Sequence, residues 1–283
     1  MAQRKPRHTI GLILSNVTND FSGYLIEQME ELFTENGYKL IVTTTNHSID
    51  SEREMLQMFG KITDGILIIS DAISYSELAD VIPRRIPVIF LNRKPADCPH
   101  TCIIENNYSA VYQAVLSNSA NGNDKIALVC ANQEFSTTQE IVAAYRDAMN
   151  STPVGFHEDW VYYTDTHILK GNPETLLADI IGKGCNTVLA GTQTLTRKFL
   201  DHMLIYNRDA KEPAVLIGFA NKDSHKQSNL SFDTIVQPLQ ELIELSIQQM
   251  LYLIHTPDVP AHEYLLKGSF RTHSINILYL DNK

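Results

Sequence analysis

The sequence predicts an α/β protein made of two Rossmann-like units, each with a parallel sheet. Short apolar runs without polar alternation recur along the chain, which is typical of strands buried on both faces. Stretches with apolar residues at helical spacing separate these runs, and this alternation favours parallel sheets covered by helices. The number of strand–helix repeats exceeds one such unit, so we expect two units in series with a break near Glu105.

The first half of the chain carries the clearest helix signals. Phe21, Leu25 and Met29 share one helical face, and Gly37 follows where a helix C-cap belongs. Ser51 and Glu54 have the spacing of a capping box at the start of a second helix. The predicted strands are residues 9–14, 38–43, 65–69, 87–91 and 101–104, and the predicted helices are 21–36, 51–59, 74–82 and 108–118.

The second half repeats the alternation. Its predicted strands are residues 125–130, 160–163, 187–190, 214–219 and 234–236, and its predicted helices are 138–149, 173–182, 194–206 and 239–254. Residues 263–266 and 275–280 are predicted to be extended. Ligands of open α/β sheets bind beyond the carboxyl ends of the strands. We therefore expect site residues in the turns after Leu14, Leu91, Cys130, Ala190 and Phe219.

Composition and charge restrict the classes of function. The 283 residues include 23 Lys and Arg against 33 Asp and Glu, a formal net charge of −10. Because phosphate binding needs a basic footprint, this balance argues against nucleic-acid binding by these residues. No apolar run reaches the ~18 residues of a membrane span, and no signal-peptide core follows the basic N-terminus. The expected location is cytoplasmic, without membrane contact.

Cysteine usage and motif searches give no sign of a metal, a cofactor or catalysis. The four cysteines are expected to be reduced thiols. Cys98, His100 and Cys102 briefly resemble a metal clip, but no second ligand pair with suitable spacing follows. Neither a P-loop, a nucleophile elbow, a GxGxxG nor an HExxH pattern is present. We expect neither a metal, a cofactor nor an enzymatic reaction, although fold alone does not exclude an enzyme.

Several motifs in the predicted turns, taken in order, resemble the core of the LacI/GalR family of transcriptional regulators. No one of them is specific, but their order and spacing together are, and they span about residues 10–274. The stretches that carry the resemblance are residues 10–14 with 19–21, residues 62–68, residues 86–93, the pair Glu105 and Asn106, residues 122–127, residues 217–219 and residues 234–238.

The resemblance implies a periplasmic-binding-protein type I fold, with two Rossmann-like subdomains joined by three crossovers. It places residues 7–104 and 238–266 in an N-terminal subdomain, and residues 105–237 and 267–283 in a C-terminal one. Such regulators are homodimers that bind palindromic operator DNA through a helix-turn-helix headpiece, which these residues do not include. The interface is expected near residues 51–59 and 75–82. A small effector, a carbohydrate or related molecule, is expected in the cleft between the subdomains.

The N-terminal half supplies five candidate ligand-binding residues by this resemblance. Asn19 would bond ligand hydroxyls and Phe21 would stack on an apolar ligand face, although a helix cap and a core position are the plain alternatives. Ser15 follows the first strand. Asn92 and Arg93 match a pair that holds hydroxyls in sugar-binding relatives, and Arg93 could instead form a surface ion pair.

The C-terminal half supplies five more candidates, and they depart from the family pattern. Ile141 stands where the family has an effector-clamping Arg, and Gln193 and Asn221 are amides at strand ends that usually carry an acid. Gln237 keeps the expected identity, and Tyr163 is preferred to its neighbour as an inward-facing aromatic. Since unpaired buried hydroxyls cost about 1–3 kcal/mol each, a typical sugar held in the usual way is doubtful. A less polar, amide-bound or anionic effector, or a partner protein, remains open.

Two classes of function compete for this sequence. The first is the effector-binding and dimerisation core of a LacI-type repressor, in which ligand binding shifts the relative orientation of the subdomains. The alternative is a solute-binding protein of a sugar transporter, which has a similar fold but requires export.

Overall fold

The computed structural model describes residues 6–17, 20–164, 173–221, 232–256 and 259–272. Its first sheet has six parallel strands in the order β11-β5-β4-β3-β1-β2. These strands are β1 (Thr9–Leu14), β2 (Lys39–Thr44), β3 (Gly65–Ile68), β4 (Val88–Asn92), β5 (Thr101–Asn106) and β11 (Glu263–Lys267). Strand β5 remains in this sheet through Asn106, two residues past the boundary expected at 104.

The second sheet also has six strands, in the order β12-β10-β9-β8-β6-β7. They are β6 (Ile126–Cys130), β7 (Val161–Tyr163), β8 (Thr187–Ala190), β9 (Val215–Ala220), β10 (Asp233–Val236) and β12 (Ser269–Arg271). All pair in parallel except β12, which runs antiparallel to β10. The chain passes between the sheets after β5, after β10 and between β11 and β12, which confirms two parallel-sheet units with three crossovers.

Helices cover both faces of each sheet, and each face has its own apolar core. The helices are α1 (Asp20–Glu35), α2 (Ile49–Ile62), α3 (Tyr108–Ala120), α4 (Ser136–Asn150), α5 (Pro173–Gly182), α6 (Gln193–Asp209) and α7 (Leu239–His255). The strand β1 shows how the faces divide: Ile10, Leu12 and Leu14 pack with α1 and α7, whereas Ile13 packs on the α2 side. None of the helices within the described ranges is long and apolar enough to cross a bilayer.

Strand β1 approaches α2 closely because it carries Gly11 on that side. A Cβ at Gly11 would lie 2.3 Å from the Phe59 ring, so a larger residue would push α2 off the sheet. We call the unit around the first sheet the first lobe and the unit around the second sheet the second lobe. Two buried cores pack in each lobe, as expected for strands that are buried on both faces.

Two local predictions in the first lobe are wrong. Helix α2 begins at Ile49 with Ser48 as its N-cap, not Ser51, and the Ser48 hydroxyl accepts from the backbone N–H of Ser51 at 3.2 Å. The helix predicted over 74–82 is a single 3₁₀ turn, Tyr75–Glu77. There the Glu77 carboxylate binds the N–H groups of 73 and 74, and residue 74 bridges to the loop after β4, so these contacts prevail over helical periodicity.

Candidate functional site

A cleft of about 190 Å³ lies between the carboxyl ends of the two sheets. Both lobes line it, as expected where parallel strands from two sheets point toward one another. From the first lobe come Leu14, Ser15, Asn16, Phe21, Ser22, His47, Ile69, Asn92, Arg93, Glu105 and Asn107. From the second come Ala131, Thr137, Ile141, Thr164, Gly191, Thr192, Gln193, Thr194, Leu195, Lys198, Phe219 and Gln237.

Arg93 organises the first-lobe wall of the cleft. It follows β4 directly, after Asn92 has turned the backbone with a φ of 64°. Its Nε donates to the Ser70 carbonyl at 2.5 Å, and its Nη2 donates to the Ser15 hydroxyl at 2.8 Å and to the Asp71 carboxylate. Within the described part of the chain Nη1 has no hydrogen bond, so it remains available to a ligand.

Asp71 joins Arg93 to a histidine on the neighbouring loop. His47 Nδ1 lies 3.0 Å from an Asp71 oxygen, and its Nε2 lies 2.7 Å from the side-chain nitrogen of Asn16. Burial raises the pKa of Asp71, but the bond with His47 and the charge of Arg93 outweigh it, so its pKa lies below the usual value. This wall therefore presents charges that already neutralise one another.

A buried carboxylate behind this wall fixes the loop that carries Asp71. Glu52 of α2 is 1% exposed, binds the Ser70 hydroxyl, and accepts from the Asp71 N–H at 3.0 Å. Burial raises the pKa of Glu52 to about 7. Glu52 does not line the cleft; it holds the turn after β3 in the position that lets Asp71 meet Arg93.

Amides organise the second-lobe wall, which also contains Lys198 and several threonines. Gln193, the first residue of α6, donates from Nε2 to Asn221 Oδ1 at 2.5 Å and to Gln237 Oε1 at 2.7 Å. Gln237 in turn donates to Glu105 Oε2 at 2.7 Å, and Asn107 donates to the same oxygen at 3.3 Å. One chain of hydrogen bonds thus runs from the tip of β9 in the second lobe to the end of β5 in the first.

Glu105 ends this chain with an unused oxygen. It is 2% exposed, and burial raises its pKa to about 7 even though the bonds from Gln237 and Asn107 oppose that shift. Its Oε1 and the Oδ1 of Asn107 are buried and have no hydrogen-bond partner among the residues that the structure describes. Since unsatisfied buried acceptors are rare in native proteins and cost about 1–3 kcal/mol each, a donor from outside the chain is the natural partner.

Seven of the ten residues predicted for the site line the cleft. They are Ser15, Phe21, Asn92, Arg93, Ile141, Gln193 and Gln237. Asn221 reaches the cleft only through its bond to Gln193. Tyr163 does not line it: the side chain is 42% exposed at the end of β7, and the following Thr164 lines the cleft instead. Asn19 lies outside the described residues.

The sequence reasoning missed several polar residues of the cleft. His47 and its partner Asp71 follow β2 and β3. Both therefore lie beyond the carboxyl ends of strands, which is the signal that pointed to the other site residues but was not extended to these two turns. Glu105 lies at the end of β5 and was noted only, with Asn106, for its resemblance to a family motif, whereas Asn107 just after the strand was not noted. Lys198 gave no signal, because it lies one turn into α6.

The fold and the cleft together define a class: two-lobed proteins that hold a small molecule between sheet tips. Residues 7–176 match the family of periplasmic binding proteins and sugar-binding domains of LacI-type regulators. The chain belongs to this family, and within it to the effector-binding cores of LacI/GalR-type transcriptional regulators. None of the residues in the described ranges forms a group of three or more His, Cys, Asp or Glu suited to a metal ion.

Individual relatives agree with this assignment. The chain is 26% identical over 237 residues to the HTH-type transcriptional repressor PurR of Vibrio campbellii (strain ATCC BAA-1116), covering 81% of this chain and 70% of that protein. The transcription regulator CcpA of Lactococcus lactis superposes with a TM-score of 0.81 at 19% identity, over 95% of this chain and 98% of that one. A LacI family regulator from Enterococcus faecium with bound ribose gives 0.80 at 20%, over 94% and 97%.

Proposed function

We propose that this chain is the effector-binding and dimerisation core of a cytoplasmic LacI-type repressor, and that a small molecule in the cleft changes operator affinity. The observation that carries the proposal is that Glu105 Oε1 and Asn107 Oδ1, both buried in a cleft lined by the two lobes, have no hydrogen-bond partner within the described ranges. Regulators among the relatives favour this function over a transporter's solute-binding protein. The ligand is bound and released unchanged.

The hydrogen-bonding groups of the two walls indicate which kind of ligand would fit the cleft. Glu105 Oε1 and Asn107 Oδ1 need donors, whereas Arg93 Nη1 needs an acceptor. A hydroxyl group can serve either need, so a polyhydroxy molecule, a carbohydrate or a close relative, suits both ends of the cleft. The rings of Phe21 and Phe219 can cover its apolar faces. A volume of about 190 Å³ is below the ~300–1,000 Å³ of drug-sized pockets and suits a small guest.

The ligand would act by favouring one arrangement of the lobes. Contacts between described residues already cross between them: Arg93 lies 4.2 Å from the centre of the Phe135 ring, the Lys94 N–H donates to the Ser136 hydroxyl at 3.4 Å, and Gln237 donates to Glu105. A molecule bound to both walls strengthens the closed arrangement and shifts the population toward it. The shift equals the difference between its affinities for the two arrangements.

Operator contact is proposed through a helix-turn-helix headpiece outside these 283 residues, because a net charge of −10 argues against phosphate binding by these residues. The subdomain limits, 7–104 with 238–266 and 105–237 with 267–283, belong to the same proposal, except that the pairing of β5 with β11 extends the first unit to Asn106 and Lys267. A homodimer through α2 is supported by Met58 and Ile62, which are 39% and 41% exposed. We expect Met58→Asp to yield monomers in sedimentation velocity at micromolar concentration, while Leu265→Asp, at a 52% exposed site, remains dimeric. A monomeric unaltered chain would contradict this interface.

The binding proposal is tested by a thermal-shift screen of sugars, sugar phosphates, polyols and nucleosides. A ligand at 100 times its Kd should stabilise the chain by about 2.7 kcal/mol. We expect Glu105→Gln to weaken the best ligand at least about tenfold, because an N–H donor replaces the oxygen that accepts from it. The matched control is Glu31→Gln, an exposed charge on α1, which should leave affinity unchanged. Equal affinity in both variants would contradict the assigned role of Glu105.

A further inference from the structure

Two cysteines outside the cleft lie within reach of each other. Cys98 belongs to the loop between β4 and β5, and Cys102 is the second residue of β5. The single S–H of Cys102 is within reach of two acceptors, Cys98 Sγ at a sulfur–sulfur distance of 3.7 Å and the His100 carbonyl at 3.3 Å. The other cysteines, Cys130 and Cys185, are buried and have no such sulfur contact within the described residues.

The structure holds this pair in place from both sides. Two residues before Cys98, the backbone of Ala96 bonds to Ile73 and Tyr75 at 2.8 and 2.9 Å. The Cys102 N–H bonds to the His262 carbonyl at 3.0 Å. Because the backbone is anchored at Ala96 and at Cys102, the two sulfur atoms stay near each other. Formation of a disulfide then requires only that the short loop between these anchors moves enough to bring the sulfur atoms from 3.7 Å to bonding distance.

The two thiols differ in reactivity. Cys98 is partly exposed and Cys102 is 2% exposed. The hydrogen bond from Cys102 lowers the pKa of Cys98 despite partial burial, and Lys94 adds to this effect while Glu263 opposes it. The same bond, together with burial, raises the pKa of Cys102. The accessible sulfur thus has the greater thiolate character, which is what a peroxide attacks.

We propose that Cys98 and Cys102 form a reversible intrachain disulfide on exposure to hydrogen peroxide, with Cys98 reacting first and Cys102 resolving the intermediate. The Cys98 thiolate attacks one peroxide oxygen, the O–O bond breaks, and the departing hydroxide takes a proton to become water. Cys102 then loses its proton and attacks the sulfur of the resulting sulfenic acid, and the S–O bond breaks as the S–S bond forms. The second hydroxide takes that proton, so two thiols and one peroxide give one disulfide and two waters.

The pair does not have the arrangement of a metal site. The intervening His100 points its ring at Tyr75, with Nε2 3.0 Å from the phenol oxygen, and also lies against Phe90. Its ring nitrogen is thus engaged away from the two sulfur atoms. A redox role needs only the two cysteines and an oxidant, and both sulfur atoms are in position for it.

The test treats the full 283-residue chain with a slight excess of hydrogen peroxide, then alkylates the remaining thiols under denaturing conditions. We expect two of the four thiols to be lost and the mass to fall by two hydrogens. The loss should map to the tryptic peptide 94–125, and dithiothreitol should restore all four thiols. Retention of four thiols, sulfinic acid at Cys98 or a disulfide between two chains would overturn the proposal.

Variants separate the roles of the two sulfur atoms. Cys98→Ser, at the partly exposed position, should leave the remaining three thiols unoxidised under the same treatment. Cys185→Ser is the control and should still form the disulfide. Where Cys102→Ser folds, its Cys98 should be trapped by dimedone as the sulfenic acid. Loss of the Cys102 thiol at the normal rate in Cys98→Ser would overturn the assignment of Cys98 as the attacking group.

Discussion

The two walls of the cleft differ in the kind of side chain that satisfies their buried polar groups. The first-lobe wall uses full charges, and Arg93, Asp71 and His47 satisfy one another within it. The second-lobe wall uses neutral amides, and its chain of bonds ends on the lone carboxylate Glu105. The charged wall already pairs its acid with a base and leaves Arg93 Nη1 for a ligand. The amide wall ends on Glu105 Oε1, an acceptor for which no donor lies among the described residues.

This difference indicates where stability and where specificity reside. A compensated set of buried charges is costly to disrupt, because removal of one member leaves the others unpaired. An unsatisfied buried acceptor destabilises the ligand-free protein, and this loss is offset only when a bound ligand donates a hydrogen bond to the acceptor. We therefore expect changes in the first wall to affect folding most, and changes around Glu105 to affect binding and its pH dependence.

The largest effect should come from Arg93→Ala. Arg93 and Asp71 have side chains only 14% and 7% exposed, so the variant leaves a buried carboxylate that has lost its cationic partner and keeps the hydrogen bond with His47. Removing one partner of a buried pair typically costs about 3–5 kcal/mol of unfolding free energy. Denaturant unfolding at pH 7 measures this loss, and ligand binding should disappear with it.

Arg53→Ala provides the matched control for that prediction. Arg53 forms a two-armed pair with Asp80 at the surface, where the side chains are 31% and 66% exposed. Exposed pairs contribute little to stability because water and salt screen them, so this variant should lose much less stability than Arg93→Ala. Equal losses in the two variants would show that the first wall is not the compensated cluster described above.

The next effect concerns pH and Glu105. Its pKa of about 7, against an ordinary 4.5, means that the folded chain takes up a proton that the unfolded chain lacks between these values. Stability from this group is therefore full below pH 4.5 and falls as pH rises to about 7, by up to about 3 kcal/mol. We expect Glu105→Gln to be more stable than the unaltered chain at pH 8 and close to it at pH 4.5.

Thermal or denaturant unfolding at the two pH values measures that difference. Glu52 also has a pKa raised to about 7 and changes stability in the same direction, but it does so in both proteins and cancels. Asp71 has the opposite sign, since its lowered pKa makes stability fall under acid conditions. A stability difference between variant and unaltered chain that is the same at both pH values would rule out ionisation of Glu105 as its cause.

Periodicity predicted most of the fold because strands buried on both faces leave little ambiguity. Strand β1 and helix α5 occur with the bounds expected from apolar runs and spacing. The failures lie where side chains override local pattern: Ser48 caps α2 in place of Ser51, and Glu77 closes a single turn where a longer helix was expected. Both contacts join residues three or four positions apart, so the pattern was present in the sequence, and what spacing alone did not decide was which of several competing capping signals would prevail.

The site was predictable in position more than in chemistry. The strand-end rule brought Ser15, Arg93 and Gln237 to one cleft although they are far apart along the chain. It could not foresee that Arg93 would be engaged by Asp71, because that pairing depends on the turn held by Glu52. Nor does the sequence reveal an unpaired oxygen, which is visible only when every neighbour is known.

A smaller effect should follow from loss of the amide that contacts Glu105. Gln237→Ala removes the 2.7 Å bond to Oε2, so the pKa of Glu105 should rise further above 4.5. We expect a loss of about 1.5–3 kcal/mol at pH 8, where the carboxylate accepts a charge-assisted bond, and less at pH 5. Unfolding at both values measures it. Asn221→Ala, at the far end of the amide chain, is the control and should show no such pH dependence.

The smallest effect on stability is expected from substitution of Lys198. The same substitution tests whether a positive charge on the second-lobe wall contributes to ligand binding. Lys198 lines the cleft from α6, partly exposed and without an ion pair among the described residues. Lys198→Ala should change unfolding free energy by no more than about 0.5 kcal/mol. If the ligand is a neutral polyol, the thermal shift that it produces should be the same in the variant and the unaltered chain, because the second-lobe wall then binds it through the amides and Glu105 without the lysine. If affinity falls several-fold for sugar phosphates, and more steeply at low salt, the wall recognises an anion after all.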